Sequence, residues 1–376
     1  MIRPHRTRFL AGSGDAKLCD TENEKDKRLR ARVGGIKAAR GRPVGMETLL
    51  LDREAVDENT PMDELVGAVG EAFEAYERGD AVMPAKSYID LPRYNGDFRS
   101  MPAYMDAGDW DAAGIKWVNV HPDNPDEYDL PSVLGTVIYS DPRNAFPLAI
   151  MDGTELTMKR TGAAAAVATD HLAIENANSL GLVGAGVQAY TQLEAISTIR
   201  PIEEVVICDL DDERVAAFVE AFEEDFSVRA GSVGEAASCD VLSTITPSTE
   251  PIVAADDVGE GTHINAMGAD AADKQELDPA ILTEAKLVID DYDQTTHSGE
   301  ISIAWKEGLI DESDIDAAIG EIVVGKRDGR TDDDRVSVFD STGLAIQDVA
   351  AAHVVYEHAR ENDNGVGFDL VGTGPR

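Results

Sequence analysis

Positive charge is scarce over most of this sequence. Of its 33 Lys and Arg residues, 12 fall in residues 1–45, which hold only 5 of the 72 Asp and Glu. Beyond residue 45 there are 21 basic against 67 acidic residues, and the whole chain carries a formal net charge of -39. A surface of that sign repels polyanions, which excludes nucleic acid and anionic membrane as partners. It also strains a compact fold by self-repulsion unless salt screens it, over a Debye length of about 3 Å at 1 M. The composition predicts a cytoplasmic protein of a salt-loving organism. Cysteine is scarce too. Cys19, Cys208 and Cys239 have neither paired nor metal-ligand spacing, which argues for a reducing compartment and against a disulfide framework or a zinc site. The longest apolar run, 163–168, is far too short to span a bilayer. The basic N-terminal stretch lacks the apolar core of a secretory signal.

What remains has the make-up of a globular α/β protein of about two domains, with 43% hydrophobic residues and 33 glycines. Residues 1–45 read as a disordered arm or as an upstream extension ahead of a start at Met46; the second is favoured, because folded-looking sequence begins there. Leu65, Val66, Val69, Ala72, Phe73 and Tyr76 recur at helical spacing, and Gly79-Asp80 ends that helix. Strands are predicted at 87–91, 114–120, 133–140 and 147–151, with a turn at Asp141-Pro-Arg-Asn between the last two. An alanine-rich helix is predicted over 161–177. Strands and helices then alternate: strand 179–183, helix 189–198, strand 204–209, helix 212–222, a short strand near 228, helix 234–237, strands 241–244, 263–267 and 286–290. That alternation means βαβ units and a parallel sheet. A long amphipathic helix over 343–361 is predicted to pack back on the first domain. The fold class is therefore α/β. A Rossmann-type parallel-sheet domain is expected over 172–305. An α+β domain is expected from 46–171 together with 306–376.

The strongest motif is Gly181-Leu-Val-Gly184-Ala-Gly186-Val187-Gln188-Ala189. It contains G-x-G-x-x-A after a strand and before a helix, the setting of a dinucleotide site. Gly184 permits the tight turn, Gly186 lets backbone approach a pyrophosphate, and the following helix offers free N–H groups. The next strand ends in Asp209, placed to bond a ribose hydroxyl and to repel a 2′-phosphate, so NAD is favoured over NADP. Lys86, Arg99, Lys116 and Arg160 are four cations in an acidic chain, suited to a substrate carboxylate. Lys116 falls on a strand expected to be buried, where nearby cations would lower its proton affinity. Asp270 follows a strand of the parallel sheet, at the edge where ligands bind, and can orient or deprotonate water or an amine. His121 lies in a polar loop and reads as a surface residue.

These residues sit in short motifs: Met83-Pro-Ala-Lys86, Phe98-Arg-Ser-Met-Pro-Ala-Tyr104, Gly114-Ile-Lys-Trp-Val-Asn119, Lys159-Arg-Thr-Gly-Ala-Ala164, Gly268-Ala-Asp270 with Lys274-Gln-Glu-Leu277, and Phe339-Asp-Ser-Thr-Gly-Leu-Ala-Ile-Gln-Asp348. In this order they resemble the ornithine cyclodeaminase / μ-crystallin family, including its archaeal alanine dehydrogenases, over about residues 46–365. The resemblance implies a homodimeric NAD enzyme acting at the α-carbon of a small amino acid. Lys116 and Asp270 would be the catalytic pair. Lys86 and Arg99 would hold the carboxylate, with Arg160 at the substrate–cofactor junction. Gly184, Gly186, Val187, Gln188, Asp209, Thr246 (or Thr244 in its place), Gly268, Lys274 and Ser341 would line the cofactor. The first domain plus the C-terminal helix would carry the dimer contact. No metal is implied. Within the family, Lys86 in place of an arginine and the 339–348 stretch favour alanine dehydrogenase. Ornithine cyclodeaminase or a related imine reductase is the alternative, and a non-catalytic NAD(P)H-binding protein is the remaining reading.

Overall fold

A computed structural model describes residues 47–271, 273–332 and 334–372; the expectations for residues 1–45 lie outside them. The described residues build two eight-stranded sheets.

The first sheet is mixed. Its strands are β1 (Thr48–Leu51), β2 (Ala81–Val82), β3 (Ser87–Leu91), β4 (Gly96–Asp106), β5 (Asp111–Val120), β6 (Val133–Ser140), β7 (Pro147–Asp152) and β16 (Val366–Phe368), in the order β16-β1-β7-β6-β5-β4-β2, with β3 also on β4. Helices α1 (Met62–Arg78), α2 (Gly153–Leu172) and α5 (Ala345–Glu361) cover one face. Register sets what each face shows. Met101, Lys116, Val137 and Met151 form one row across β4, β5, β6 and β7, all buried under the helices. The next row, Ile115, Ile138, Ile150 and Leu50, points the other way and stays half-buried to exposed, as the period of two requires.

The second sheet is wholly parallel: β8 (Ser179–Val183), β9 (Glu204–Cys208), β10 (Ser227–Ala230), β11 (Val241–Thr244), β12 (His263–Ala266), β13 (Lys286–Ile289), β14 (Ile315–Ala318) and β15 (Ser337–Asp340), ordered β10-β9-β8-β11-β12-β15-β13-β14. The order reverses beside β8, so the glycine loop after β8 lies at the switch point, where doubly wound sheets bind ligands. Helices α3 (Val187–Ile199) and α4 (Asp212–Phe222) are crossovers of this sheet.

Four expectations are corrected. The parallel sheet does not stop at 305: β14 and β15 belong to it, and β15 is inserted between β12 and β13, a non-local pairing that periodicity does not reveal. The alanine-rich helix begins at Gly153 rather than 161, because Asp152 caps it by accepting the Glu155 N–H at 2.7 Å; it ends at Leu172. Strand β4 was not predicted, and it carries Pro102, a residue that argues against a strand interior. Pro102 falls where β4 has no outer partner, between the pairings to β3 (96–100) and β2 (104–105). Finally, α5 is not amphipathic through its first three turns: Ala345 to Val355 are all buried, Gln347, Asp348 and His353 among them. Among the described residues no helix is long and apolar enough to cross a membrane, and Cys208 and Cys239 are free and buried.

Candidate active site

Two walls face each other where the sheets meet. The wall from the parallel sheet begins with the glycine loop. Gly184 sits at φ +109°, a left-handed conformation that a side chain resists. Gly186 caps α3, and a Cβ built there would meet no atom within 4 Å, so the space before it is open. No side chain caps α3, and Val187 at its first position is 59% exposed. Free N–H groups at the start of a 13-residue helix, behind an open glycine, fit a phosphate. Gly181 lies flat against the 233–237 helix; a Cβ there would overlap the Ala236 carbonyl. The Asp209 carboxylate reaches back, accepting the Ala185 N–H at 2.6 Å and the Asp211 N–H at 3.0 Å. This set fits the adenosine and pyrophosphate half of a dinucleotide.

Further along that wall, Thr246 donates its N–H and hydroxyl to Glu276 Oε1, both at 2.7 Å, and Gly268 donates its N–H to Glu276 Oε2 at 3.1 Å. Glu276 thus ties the loops after β11 and β12 together. Lys274 Nζ lies 2.6 Å from Asp270 Oδ1 and 3.3 Å from the Gly268 carbonyl. Burial pushes the Asp270 carboxyl up, but Lys274, Arg99 and Lys86 together override it and hold it below its ordinary range. Asp290, fully buried, accepts from the Ser341 hydroxyl and from the N–H groups of Thr342 and Gly343. Ser341 therefore faces Asp290.

The wall from the first sheet is made of cations and their counter-charges. Lys116 projects from the buried face of β5 and is 2% exposed. Its Nζ donates to Asp348 Oδ1 at 2.8 Å and to Thr157 Oγ1 at 3.2 Å. Arg160 on α2 donates Nε–H to the same Asp348 Oδ1 at 2.9 Å and an Nη–H to Gln347 at 3.0 Å. Gly343, at φ +74°, is the close approach that makes room for this guanidinium: a Cβ there would lie 2.6 Å from it. Burial, with Arg160 and Lys86 adding to it and Asp348 opposing, brings the Lys116 ammonium down to about 7. Lys86 donates to the Thr342 carbonyl at 2.9 Å, and burial lowers it to about 8. Arg99 grips both oxygens of Asp97 at 3.0 Å and crosses the cleft to Asp270 Oδ2 at 3.4 Å. His121 is half-buried, bonded to Asn119 and packed edge-on against Phe98.

The structure therefore gathers Lys86, Arg99, Lys116, Arg160, Asp270 and Lys274 around one cleft, with the glycine loop at the switch point of the adjoining sheet. Sequence reasoning missed Asp348, Gln347, Asp97, Asp290 and Glu276. A signal for Asp348 and Gln347 was present: two polar residues in the middle of an otherwise apolar helical stretch.

Residues 46–363 match the ornithine cyclodeaminase/mu-crystallin family. This chain belongs to that family. It is 47% identical over 321 residues to the alanine dehydrogenase of Archaeoglobus fulgidus, covering 85% of this chain and 98% of that protein. A solved archaeal alanine dehydrogenase dimer with bound NAD superposes with a TM-score of 0.82 at 47% identity, over 86% of this chain and all of that one. The Thermococcus litoralis Δ1-pyrroline-2-carboxylate reductase, solved with NADH and L-proline, superposes with a TM-score of 0.81 at 36% identity, over 85% of this chain and 99% of that one.

Proposed function

We propose that this chain is an NAD-dependent alanine dehydrogenase, converting L-alanine to pyruvate and ammonia. One observation carries the choice of substrate: Asp97, Asp270 and Asp348 are each already paired with cations, whereas Lys86 bonds only a backbone carbonyl. A cleft of that kind takes one carboxylate. Among the described residues the other carboxylate beside Lys86, Asp290, is buried and taken up by the Ser341 hydroxyl and the Thr342 and Gly343 N–H groups, so it is not presented to the second ammonium of ornithine.

NAD, when bound, supplies the acceptor for the two electrons that leave the α-carbon. Gly184, Gly186, Val187 and Gln188 would hold its phosphates and Asp209 its ribose, with Thr246, Gly268, Lys274 and Ser341 toward its other end. Lys86 and Arg99 grip the alanine carboxylate. Lys116, with a proton affinity close to neutrality, takes the proton from the substrate ammonium. Asp270 is exposed enough to reach water, and orients or deprotonates the molecule that opens the imine. Arg160 sits where substrate and cofactor meet.

The assembly is a homodimer, built on the partly exposed apolar face of the first sheet, where Ile138 is 39% and Trp117 42% exposed. The acidic excess beyond residue 45 supports work in a salt-rich cytoplasm. A second reading is favoured by the same free cation: reduction of a cyclic imine with one carboxylate, as in the pyrroline-2-carboxylate reductases.

The test is purified protein in molar KCl with NAD and either L-alanine or L-ornithine, followed at 340 nm with a proline assay. NADH from alanine, and no proline from ornithine, is expected. Proline and ammonia from ornithine without net NADH would overturn the assignment. Oxidation of NADH by Δ1-pyrroline-2-carboxylate, with alanine inert, would establish the second reading.

A further inference from the structure

Lys116 is held from two sides. Its Nζ donates to Asp348 Oδ1 and to Thr157 Oγ1. The Thr157 hydroxyl gives its own proton to the Gly153 carbonyl one turn earlier. Toward Lys116 it can therefore only accept. An ammonium nitrogen has three hydrogens, and two of the three directions are taken by acceptors. When Lys116 is neutral, the two hydrogens it keeps are those with acceptors, and its lone pair points along the third direction.

Asp348 also binds Arg160 through the same Oδ1, and its Oδ2 is buried without a partner among the described residues. One carboxylate thus answers two cations. With Lys116 charged the three groups sum to +1; with Lys116 neutral they sum to zero. The geometry points to Asp348 and Thr157 as positioning residues: they leave Lys116 a single direction for proton exchange, and Asp348 sets the pH at which the exchange occurs. The proton leaves the ammonium along the open direction, leaving a neutral amine, the Asp348 carboxylate and the Arg160 guanidinium. Its return restores the starting charge. The charged groups around Lys116 are Asp348 from α5, Arg160 from α2 and Lys86 from the 83–86 loop. Burial, Arg160 and Lys86 disfavour the ammonium, and Asp348 opposes them.

This rests on the reading of Lys116 as the group that moves the proton, so the first measurement needs no substrate. Folded Lys116 releases its proton near pH 7, against an ordinary value of 10.5. Between those values the unfolded chain binds more protons, so stability conferred through Lys116 rises with pH across that window. Denaturant midpoints of the full-length protein in molar KCl, compared with Lys116→Met at each pH, give the onset of that rise. In the Asp348→Asn background the onset is expected to move to lower pH by about 1–3 pH units, the usual effect of an opposite charge at this range. Asp348→Glu is expected to restore most of it. An unmoved onset in Asp348→Asn, with NADH fluorescence showing an intact cofactor site, would overturn the role of Asp348.

Thr157→Val leaves every charge in place. It is expected to lower kcat about tenfold, with the onset moved toward lower pH by less than in Asp348→Asn. Unaltered kcat would overturn the directional claim, including where Asp348→Asn does not fold. Absence of turnover with alanine in the parent protein would count against the assigned reaction and leave the stability result standing.

Discussion

The two walls of the cleft are built by different means. The wall proposed to hold the cofactor works through backbone conformation. Its key residues, Gly184, Gly186, Val187 and Gln188, lie within five positions of one another, and Asp209 closes the next strand. The wall proposed to hold the substrate works through charge, and its members come from five separate segments. Asp348 is 232 residues from Lys116 and 188 from Arg160, yet one of its oxygens serves both. A site made of backbone geometry imposes a local pattern, because only small residues allow the turn. A site made of ion pairs imposes none, because any residue the fold delivers will serve.

The sharpest way to separate the walls is Lys116→Ala. It is expected to lower kcat by about 10²–10⁴-fold, the range for a lost proton-transfer group. NADH affinity, read by fluorescence titration, stays within about twofold of the parent. Loss of NADH binding would show that the walls are not independent. Lys86→Met comes next. It removes a charged hydrogen-bonding group worth about 1.5–3 kcal/mol, which corresponds to a KM for alanine raised about 10–150-fold with kcat largely kept. A kcat effect with KM unchanged would move Lys86 from binding to chemistry. The smallest effect is expected on the cofactor wall. Asp209→Ala removes the charge proposed to repel a 2′-phosphate and is expected to narrow the preference for NAD over NADP by about tenfold, measured as the ratio of kcat/KM values. An unchanged ratio would assign Asp209 to holding the glycine loop alone, through its bond to Ala185.

This contrast also explains what the sequence disclosed. The glycine loop, its flanking strand and helix, and Asp209 were legible because each depends on its neighbours in the chain. Lys116 was legible as a charge in an apolar strand, and the register shows why: it shares a buried row with Met101, Val137 and Met151. Its depressed proton affinity was anticipated from nearby cations, but burial is the larger cause. Strand β4 was not predicted, and it carries Pro102, whose tolerance depends on a gap between β2 and β3 that only the pairing shows. The place of β15 between β12 and β13 was hidden because strand order in a parallel sheet is set by crossovers. Asp348, Asp290 and Glu276 were hidden because buried carboxylates that hold loops or cations look like surface acids in a chain with 72 of them.

The contact between Arg99 and Asp270 carries a kinetic consequence. In the free protein Arg99 and Lys86 help hold the Asp270 carboxyl down. Those are the two cations assigned to the incoming carboxylate. Once the alanine carboxylate engages them and the ammonium has passed its proton to Lys116, the remaining negative charge offsets theirs, and Asp270 becomes more basic in the complex than in the free enzyme. The substrate thereby strengthens the base that acts on it. Below the acid limb set by Lys116 near 7, a second acid step belongs to Asp270: in kcat, which reports the complex, it lies at higher pH than in kcat/KM, which reports the free enzyme. By linkage, alanine binding near those pH values draws a proton from solution, and calorimetry in buffers of different ionisation enthalpy would count it.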